Sequence, residues 1–268
     1  MGTYYYGTIV RPKATGPFVN GPPKRINMAE STLAAGSTPA PKNLLARFIG
    51  VLFEPSATFA SVAAYPKWLG MALLTSLVIG IFASLPLTTP EGKEAYIDQS
   101  IRAVERFGIQ ANDEMVAGMR KSAEGAVYTT AISMLIVMPL FSLIISGILF
   151  AIFNAAMGGD ARFKQVFAVV VHSGVISVIG AVFTGVINYM RGTMSSSVAN
   201  VGALLPMLPE DSFVANLAGM IDIFQIWGLV VLAIGLAVLY RRKTQPIATT
   251  FFVIYGVIII AIAAFMSR

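Results

Sequence analysis

The chain has no cysteine and a single histidine, His172. The first absence excludes disulfides, thiolate metal sites and a cysteine nucleophile. The second excludes a multi-histidine metal centre within one chain. Charge is also scarce. Asp, Glu, Lys and Arg make up 12% of 268 residues, while 56% are hydrophobic. Soluble domains carry roughly 25% charged residues, so this composition belongs to a membrane protein. No Gly-x-Gly-x-x-Gly, Gly-x-x-x-x-Gly-Lys or His-Glu-x-x-His pattern occurs. The dinucleotide, phosphate and zinc chemistries that need those spacings therefore have no foothold.

Long apolar runs are what the chain does have. Five are expected to cross a bilayer, at about residues 68–88, 128–153, 166–189, 214–240 and 246–266. Each approaches or exceeds the roughly 20 apolar residues that a helix needs to span, at 1.5 Å rise per residue. The fold class is thus all-α, a five-helix transmembrane bundle over residues 67–268. The first run begins too late for a cleaved signal peptide.

Before the bundle come two segments of different character. Residues 1–40 carry Pro12, Pro17, Pro22, Pro23 and Pro39 among Gly, Ser and Thr, with Arg11, Lys13, Lys24 and Arg25. Few large apolar residues follow Val10, so a disordered basic tail is expected. Residues 41–66 repeat apolar side chains at Leu44, Leu45, Phe48, Ile49, Leu52 and Phe53, one face of a helix. Glu54-Pro55-Ser56 breaks it and starts a second short helix. Both are expected to lie at the membrane interface. Between the first two spans, residues 91–125 hold seven acids and five bases around the stripe Ile97, Ile101, Val104 and Phe107. Two short amphipathic helices capping the bundle are expected there.

Lys and Arg set the orientation. Twelve of the nineteen fall on the side shared by the N-terminal segment, Arg162 with Lys164, and Arg241-Arg242-Lys243. The positive-inside rule puts that side in the cytoplasm. The N-terminus is then cytoplasmic, the C-terminus extracytoplasmic, and the 91–125 loop extracytoplasmic. The net charge of +6 reflects these clusters, so no nucleic-acid partner is expected.

Two kinds of residue stand out within the spans. Small residues recur every fourth position at Ala72, Ser76, Gly80 and Ser84, and again at Ser173, Ser177, Ala181 and Gly185. Such seams let helices approach closely, so the first and third spans are expected to pack together. The intramembrane polar set is His172, Asn188, Asp222 and Gln225. Ionisable residues at such depth are functional candidates. Yet His172 and Ser173 point roughly 100° apart on a helix, and Ser173 has no second histidine as base. No catalytic residue, cofactor or metal is expected.

Three stretches carry a resemblance. They are Phe48-Ile-Gly-Val-Leu-Phe-Glu-Pro-Ser-Ala-Thr-Phe59, the turn Met157-Gly-Gly-Asp-Ala-Arg-Phe-Lys-Gln-Val-Phe167, and Ile226-Trp-Gly-Leu with Gly235-Leu-Ala-Val before Arg241. In their order the chain resembles the bacterial branch of the Yip1 family of five-span membrane proteins. The resemblance implies a cytosolic N-terminus followed by five helices. Eukaryotic members are linked to vesicle trafficking and prenylated small GTPases. Their Asp-Leu-Tyr-Gly-Pro and Gly-Tyr-x-x-x-Pro motifs are absent, and His172-Ser-Gly-Val-Ile176 stands where the second would fall. The expected function is a non-enzymatic membrane protein that binds or organises membrane components, with the bilayer and a membrane-protein partner or further copies of itself around it. The alternative is a transporter or channel subunit, which would need the four polar residues around one cavity.

Overall fold

The computed structural model describes residues 40–194, 198–209 and 212–267. The expected tail, apart from Ala40, lies outside them. Among the described residues every regular element is helical, with one isolated bridge between Asn200 and Asp222.

The chain opens with a helical hairpin. α1, Leu44–Phe53, starts where the Asn43 side chain accepts from the Ala46 amide at 2.8 Å. α2, Pro55–Ala64, has Pro55 in its first turn, where a missing N–H costs nothing. Gly50 joins the two: a Cβ there would sit 2.2 Å from Thr58 Oγ1. Lys42 ties the hairpin from below, with Nζ 3.1 Å from Thr58 Oγ1 and its amide 3.3 Å from Ser61 Oγ.

The first long helix, α3 (Leu69–Ser84), tightens into a 3-10 turn over Leu85–Thr88 that contains Pro86. α4, Pro90–Glu105, is capped by Thr89, and α5, Asp113–Glu124, by Asn112. These are the two short helices expected over 91–125. An exposed Arg120–Glu94 pair at 2.5 Å links them. α6, Ala126–Phe150, passes through Pro139 without ending and widens into a π turn over Ala151–Ala156. α7, Phe163–Ser173, and α8, Val175–Arg191, are two arms of one long helix bent at Gly174. His172 Nδ1 bonds the Ala168 carbonyl at 2.7 Å and Ser173 Oγ bonds that of Val169 at 2.9 Å. Side chains bonding back to the preceding turn commonly bend helices.

The segment read as one span over 214–240 is two helices. α9, Phe213–Met220, stops at Ile221, which is extended, and α10, Ile223–Leu239, restarts after Asp222. The reason is local chemistry: Asp222 is a helix-capping residue, and its carboxylate takes two backbone amides of the new helix. α11, Thr244–Met266, completes the chain.

Among the described residues, four helical segments are long and apolar enough to cross a membrane: Leu69–Thr88, Ala126–Ala156, Phe163–Arg191 and Thr244–Met266. They are not equivalent. The most apolar stretches of α3 and α7–α8 are 44% and 56% buried, whereas those of α6 and α11 are 11% buried. So α3 and α7–α8 form the centre, and α6 and α11 are outer helices. Ile136, Phe141 and Ile144 on α6, and Val253 and Val257 on α11, lie exposed. So broad an apolar surface suits lipid and not water.

The helical hairpin departs from a helix resting on a surface. Val51, Phe59 and Val62 are fully buried and belong to the main core with Val169, Ile176, Val231 and Leu236. α2 is seated against α10 and α7. A Cβ on Gly235 would meet Phe59 at 3.1 Å and Val169 at 2.6 Å, so the glycine makes room for the Phe59 ring. α1 splits its apolar stripe, with Phe48 and Leu52 packed against the core. Leu45, Ile49 and Phe53 face outward, while Arg47, Gly50 and Val51 face inward. Exposed Leu45, Ile49 and Phe53 suit surroundings of hydrocarbon or headgroups better than water.

One end of the bundle gathers the three basic segments. Gln165 Nε2 donates to Ala63 O at 2.8 Å, joining α7 to the hairpin. Arg242 donates to Met157 O at 3.0 Å, joining the end of α10 to the α6–α7 turn. Tyr240 stacks on Phe153 with ring centres 4.8 Å apart, and its hydroxyl donates to Asn154 Oδ1 at 2.6 Å. Asn154 Nδ2 in turn donates to Ala161 O at 2.7 Å. The α6–α7 turn is therefore a fixed structure, not a slack linker.

Candidate functional site

A cavity of about 760 Å³ lies in the half of the bundle away from the basic segments. The C-terminal halves of α3 and α11, the length of α8 and the α9–α10 break surround it. Gln99 reaches it from α4. Its volume falls within the roughly 300–1,000 Å³ typical of small-ligand pockets.

The α9–α10 break organises its polar end. Val201 donates to Ile221 O at 2.9 Å and Ile223 to Ala199 O at 3.3 Å, so the loop after α8 holds the broken backbone as a short bridge. Asp222, only 7% exposed, accepts from the Phe224 and Gln225 amides at 2.8 and 2.9 Å. These are the orphan donors of a new helix, and an N-terminal carboxylate also suits the helix dipole. The Tyr255 hydroxyl donates to Met220 O from α11, which holds the last turn of α9.

Three of the four intramembrane polar residues thus come together. Asn188, Asp222 and Gln225 all line the cavity. His172 does not line it. It is fully buried beside the bend in α7–α8, with Nδ1 engaged by its own helix and Nε2 without a partner. Ser173 Oγ is engaged by Val169, so the neighbouring serine and histidine each serve the helix that carries them.

The small-residue seams divide between three environments. Gly185 sits against α3, where a Cβ would lie 2.3 Å from Phe82 O. On α3, however, Gly80 faces α6: a Cβ there would lie 2.7 Å from Ala131 O. Ala72, Ser76 and Ser84 are buried, and Ser173 is buried beside the bend. Ser177 and Ala181 line the cavity. Close packing of α3 on α8 thus centres on Gly185, while Gly80 of the α3 seam is taken up by α6.

A second polar feature lies at the basic end. Arg47 is 2% exposed. Its Nε donates to Lys42 O at 3.0 Å and Nη1 approaches Lys67 O at 3.5 Å, while Nη2 has no partner. Burial pushes the guanidinium below the usual arginine value. Arg47 lies off the apolar stripe of α1, and the fold places it inside. The available signal was Gly50 and Val51, one turn along the same face, which no solvated arginine needs beside it. Asn154 and Tyr240 were also missed, since their pairing spans 86 residues.

Among the described residues no group of three or more His, Asp or Glu side chains could hold a metal ion. The architecture is that of an all-α integral membrane protein with a packed core at one end and a cavity at the other. Residues 49–266 match the Yip1 domain, so the chain belongs to the Yip1 family. It is similar to the "Membrane protein YknW" of Bacillus subtilis (strain 168), 22% identical over 189 residues, which cover 70% of this chain and 75% of that protein. No solved structure matches it.

The match begins within α1, and the fold explains why its opening stretch is built as it is. In Phe48–Phe59, Gly50 allows the hairpin crossing, Pro55 starts α2, and Phe59 fills the space under Gly235.

Proposed function

We propose that this chain is a five-span, non-enzymatic membrane protein of the bacterial Yip1 type that binds or organises other membrane components. The observation that carries the reading is the exposed apolar edge of the helical hairpin. α1 and α2 are locked into the bundle core, yet Leu45, Ile49 and Phe53 project outward beside the basic segments. A rigid apolar ridge flanked by Lys and Arg is a docking edge for a membrane-protein partner or a second copy at headgroup depth. Side chains able to do covalent chemistry are instead tied into helix bends and caps.

α10 serves as the fifth span. Its 17 residues rise about 25 Å, slightly under the hydrocarbon thickness of roughly 30 Å. With it, the basic segments fall on one side, and the positive-inside rule makes that side cytoplasmic. The absence of native cysteine makes the topology simple to test. Single cysteines at Glu54 and Ser267 should react with an impermeant maleimide from opposite faces of oriented vesicles. Labelling of both from one face would overturn the five-span reading. For the docking edge, a photo-reactive residue at Ile49 should cross-link a stoichiometric protein in native membranes. The same residue at Ile136 on α6 should give mainly lipid adducts. Indistinguishable products at the two positions would overturn the docking edge.

The cavity favours one other reading, a transporter or channel subunit, because broken helices line substrate sites in transporters. His172 lies outside that cavity, so the polar set does not form one path through the bundle. Ion or solute flux in liposomes containing the purified chain alone would favour this reading over the first.

A further inference from the structure

The basic end carries a second surface, built from residues that the α1 docking edge does not use. We propose that it holds the phosphate of an anionic diacyl phospholipid. Arg162 and Lys164 come from the start of α7, and Arg241, Arg242 and Lys243 from the junction between α10 and α11. The two segments touch. A Cβ on Gly159 would lie 2.6 Å from the Tyr240 ring, and Arg242 Nη2 donates to Met157 O at 3.0 Å. All five cationic residues are exposed, and among the described residues none of them forms an ion pair. Asp160 is the one acid in residues 154–164 and 240–246.

The backbone at Arg241 is strained. Its φ is 51°, and it is the one non-glycine residue with a positive φ among those described. The cause is the way α10 ends. The Arg242 amide donates to Ala237 O at 2.9 Å and the Arg241 amide to Val238 O at 3.4 Å, the paired bonds of a Schellman ending. The left-handed residue of that ending is usually glycine, because a Cβ is disfavoured there. Arg242 and Lys243 already bring positive charge to the carbonyl end of α10. The helix therefore gains little from a third cation at the strained position, whereas a bound phosphate gains a further charged donor.

The surroundings select a lipid over a soluble acidic partner. The surface stands at the ends of α6 and α11, the two helices whose most apolar stretches are only 11% buried. Ile148 on α6, Ile152 in the π turn after it, and Phe252 and Val253 on α11 are exposed further into these segments. Headgroups lie at the ends of such helices, with acyl chains along their exposed faces. Basic residues at that depth attract anionic headgroups.

The test uses the full chain in nanodiscs of phosphatidylcholine with a trace of phosphatidylglycerol carrying a diazirine high in one acyl chain. Light should attach this probe to peptides from the end of α6 and the start of α11. Diazirine-bearing phosphatidylcholine at the same trace level should label them about tenfold less. Arg241→Gly removes one cation and relieves the backbone, so phosphatidylglycerol labelling should fall about fivefold while the melting temperature rises. Arg241→Lys should keep most of the labelling, and Arg162→Gln should lower it from the other segment. Glycerophosphoglycerol, the same headgroup without chains, should not displace the probe; full displacement would overturn the lipid in favour of a soluble phosphate. Equal labelling by the two probes would overturn the proposal, as would labelling unchanged by Arg241→Gly. So would a lower melting temperature for Arg241→Gly, since the arginine would then serve the helix. None of these readouts depends on partner capture at Ile49, so either proposal can fail alone.

Discussion

The two ends of this bundle are built on opposite rules. At the basic end, a short helical hairpin is driven into the core, and glycines serve to let side chains and backbone touch. Phe59 under Gly235 and Thr58 against Gly50 leave no space for another methyl group. At the far end, small residues and a broken helix leave about 760 Å³ open. The same residue types therefore do different work. Small side chains close a gap where a neighbour fills it and maintain one where none does.

The sharpest test of this contrast removes bulk from the filled end. Phe59→Ala should lower stability the most, by about 3–5 kcal/mol, as for other buried aromatic truncations. A thermal melt in detergent would show it, and a loss below about 1 kcal/mol would mean the hairpin is only loosely seated. Adding bulk should distinguish the ends next. Gly235→Phe forces side chains into Phe59 and Val169 and should cost about 1–3 kcal/mol or more. Ser177→Phe, of the same added bulk, should leave the melting temperature nearly unchanged. Equal effects would erase the distinction between filled core and cavity.

Arg47 gives a third comparison. Among the described residues it is buried with the Lys42 and Lys67 carbonyls and forms no ion pair with a carboxylate. Arg47→Met keeps most of the volume and removes the desolvated charge, so it should match or exceed the parent in melting temperature. Arg47→Ala should be lower by about 1–2 kcal/mol through lost packing. If Met is as damaging as Ala, the charge itself holds the hairpin in place. Smaller effects are expected from the two polar fastenings, one at each end. Asp222→Ala removes the α10 cap and should cost about 1 kcal/mol, with Asp222→Asn close to the parent. Tyr240→Phe loses the bond to Asn154 and should cost about 0.5–1.5 kcal/mol.

Several parts of the candidate site were legible before folding, and others were not. Asp222 was visible as an acid in an apolar run, and Asn188 and Gln225 as its possible company. Their meeting at a helix break was not visible. The run 214–240 is apolar on both sides of the break, and hydropathy does not distinguish a continuous span from a capped restart. His172 attracted attention as the sole histidine, yet its position beside the α7–α8 bend separates it from the other three. The two seams looked identical in spacing. Spacing marks a face that can accept a neighbour but not which neighbour arrives, so Gly80 went to α6 and Gly185 to α3.

What the sequence alone determined was the solvent. Apolar run length and the placement of Lys and Arg are local quantities, and they settle that this is an all-α membrane protein with long helices and a basic end. Tertiary structure alone decided which faces turn inward. For α1, the apolar stripe pointed to a helix lying at the membrane interface. The fold splits that stripe: Phe48 and Leu52 pack against the core beside the buried Arg47 and Val51, while Leu45 and Phe53 stay outward, where apolar surroundings make their exposure cheap. Whether a stripe of small residues becomes a contact or a cavity was likewise decided by the side chains that reach it from segments distant in the chain.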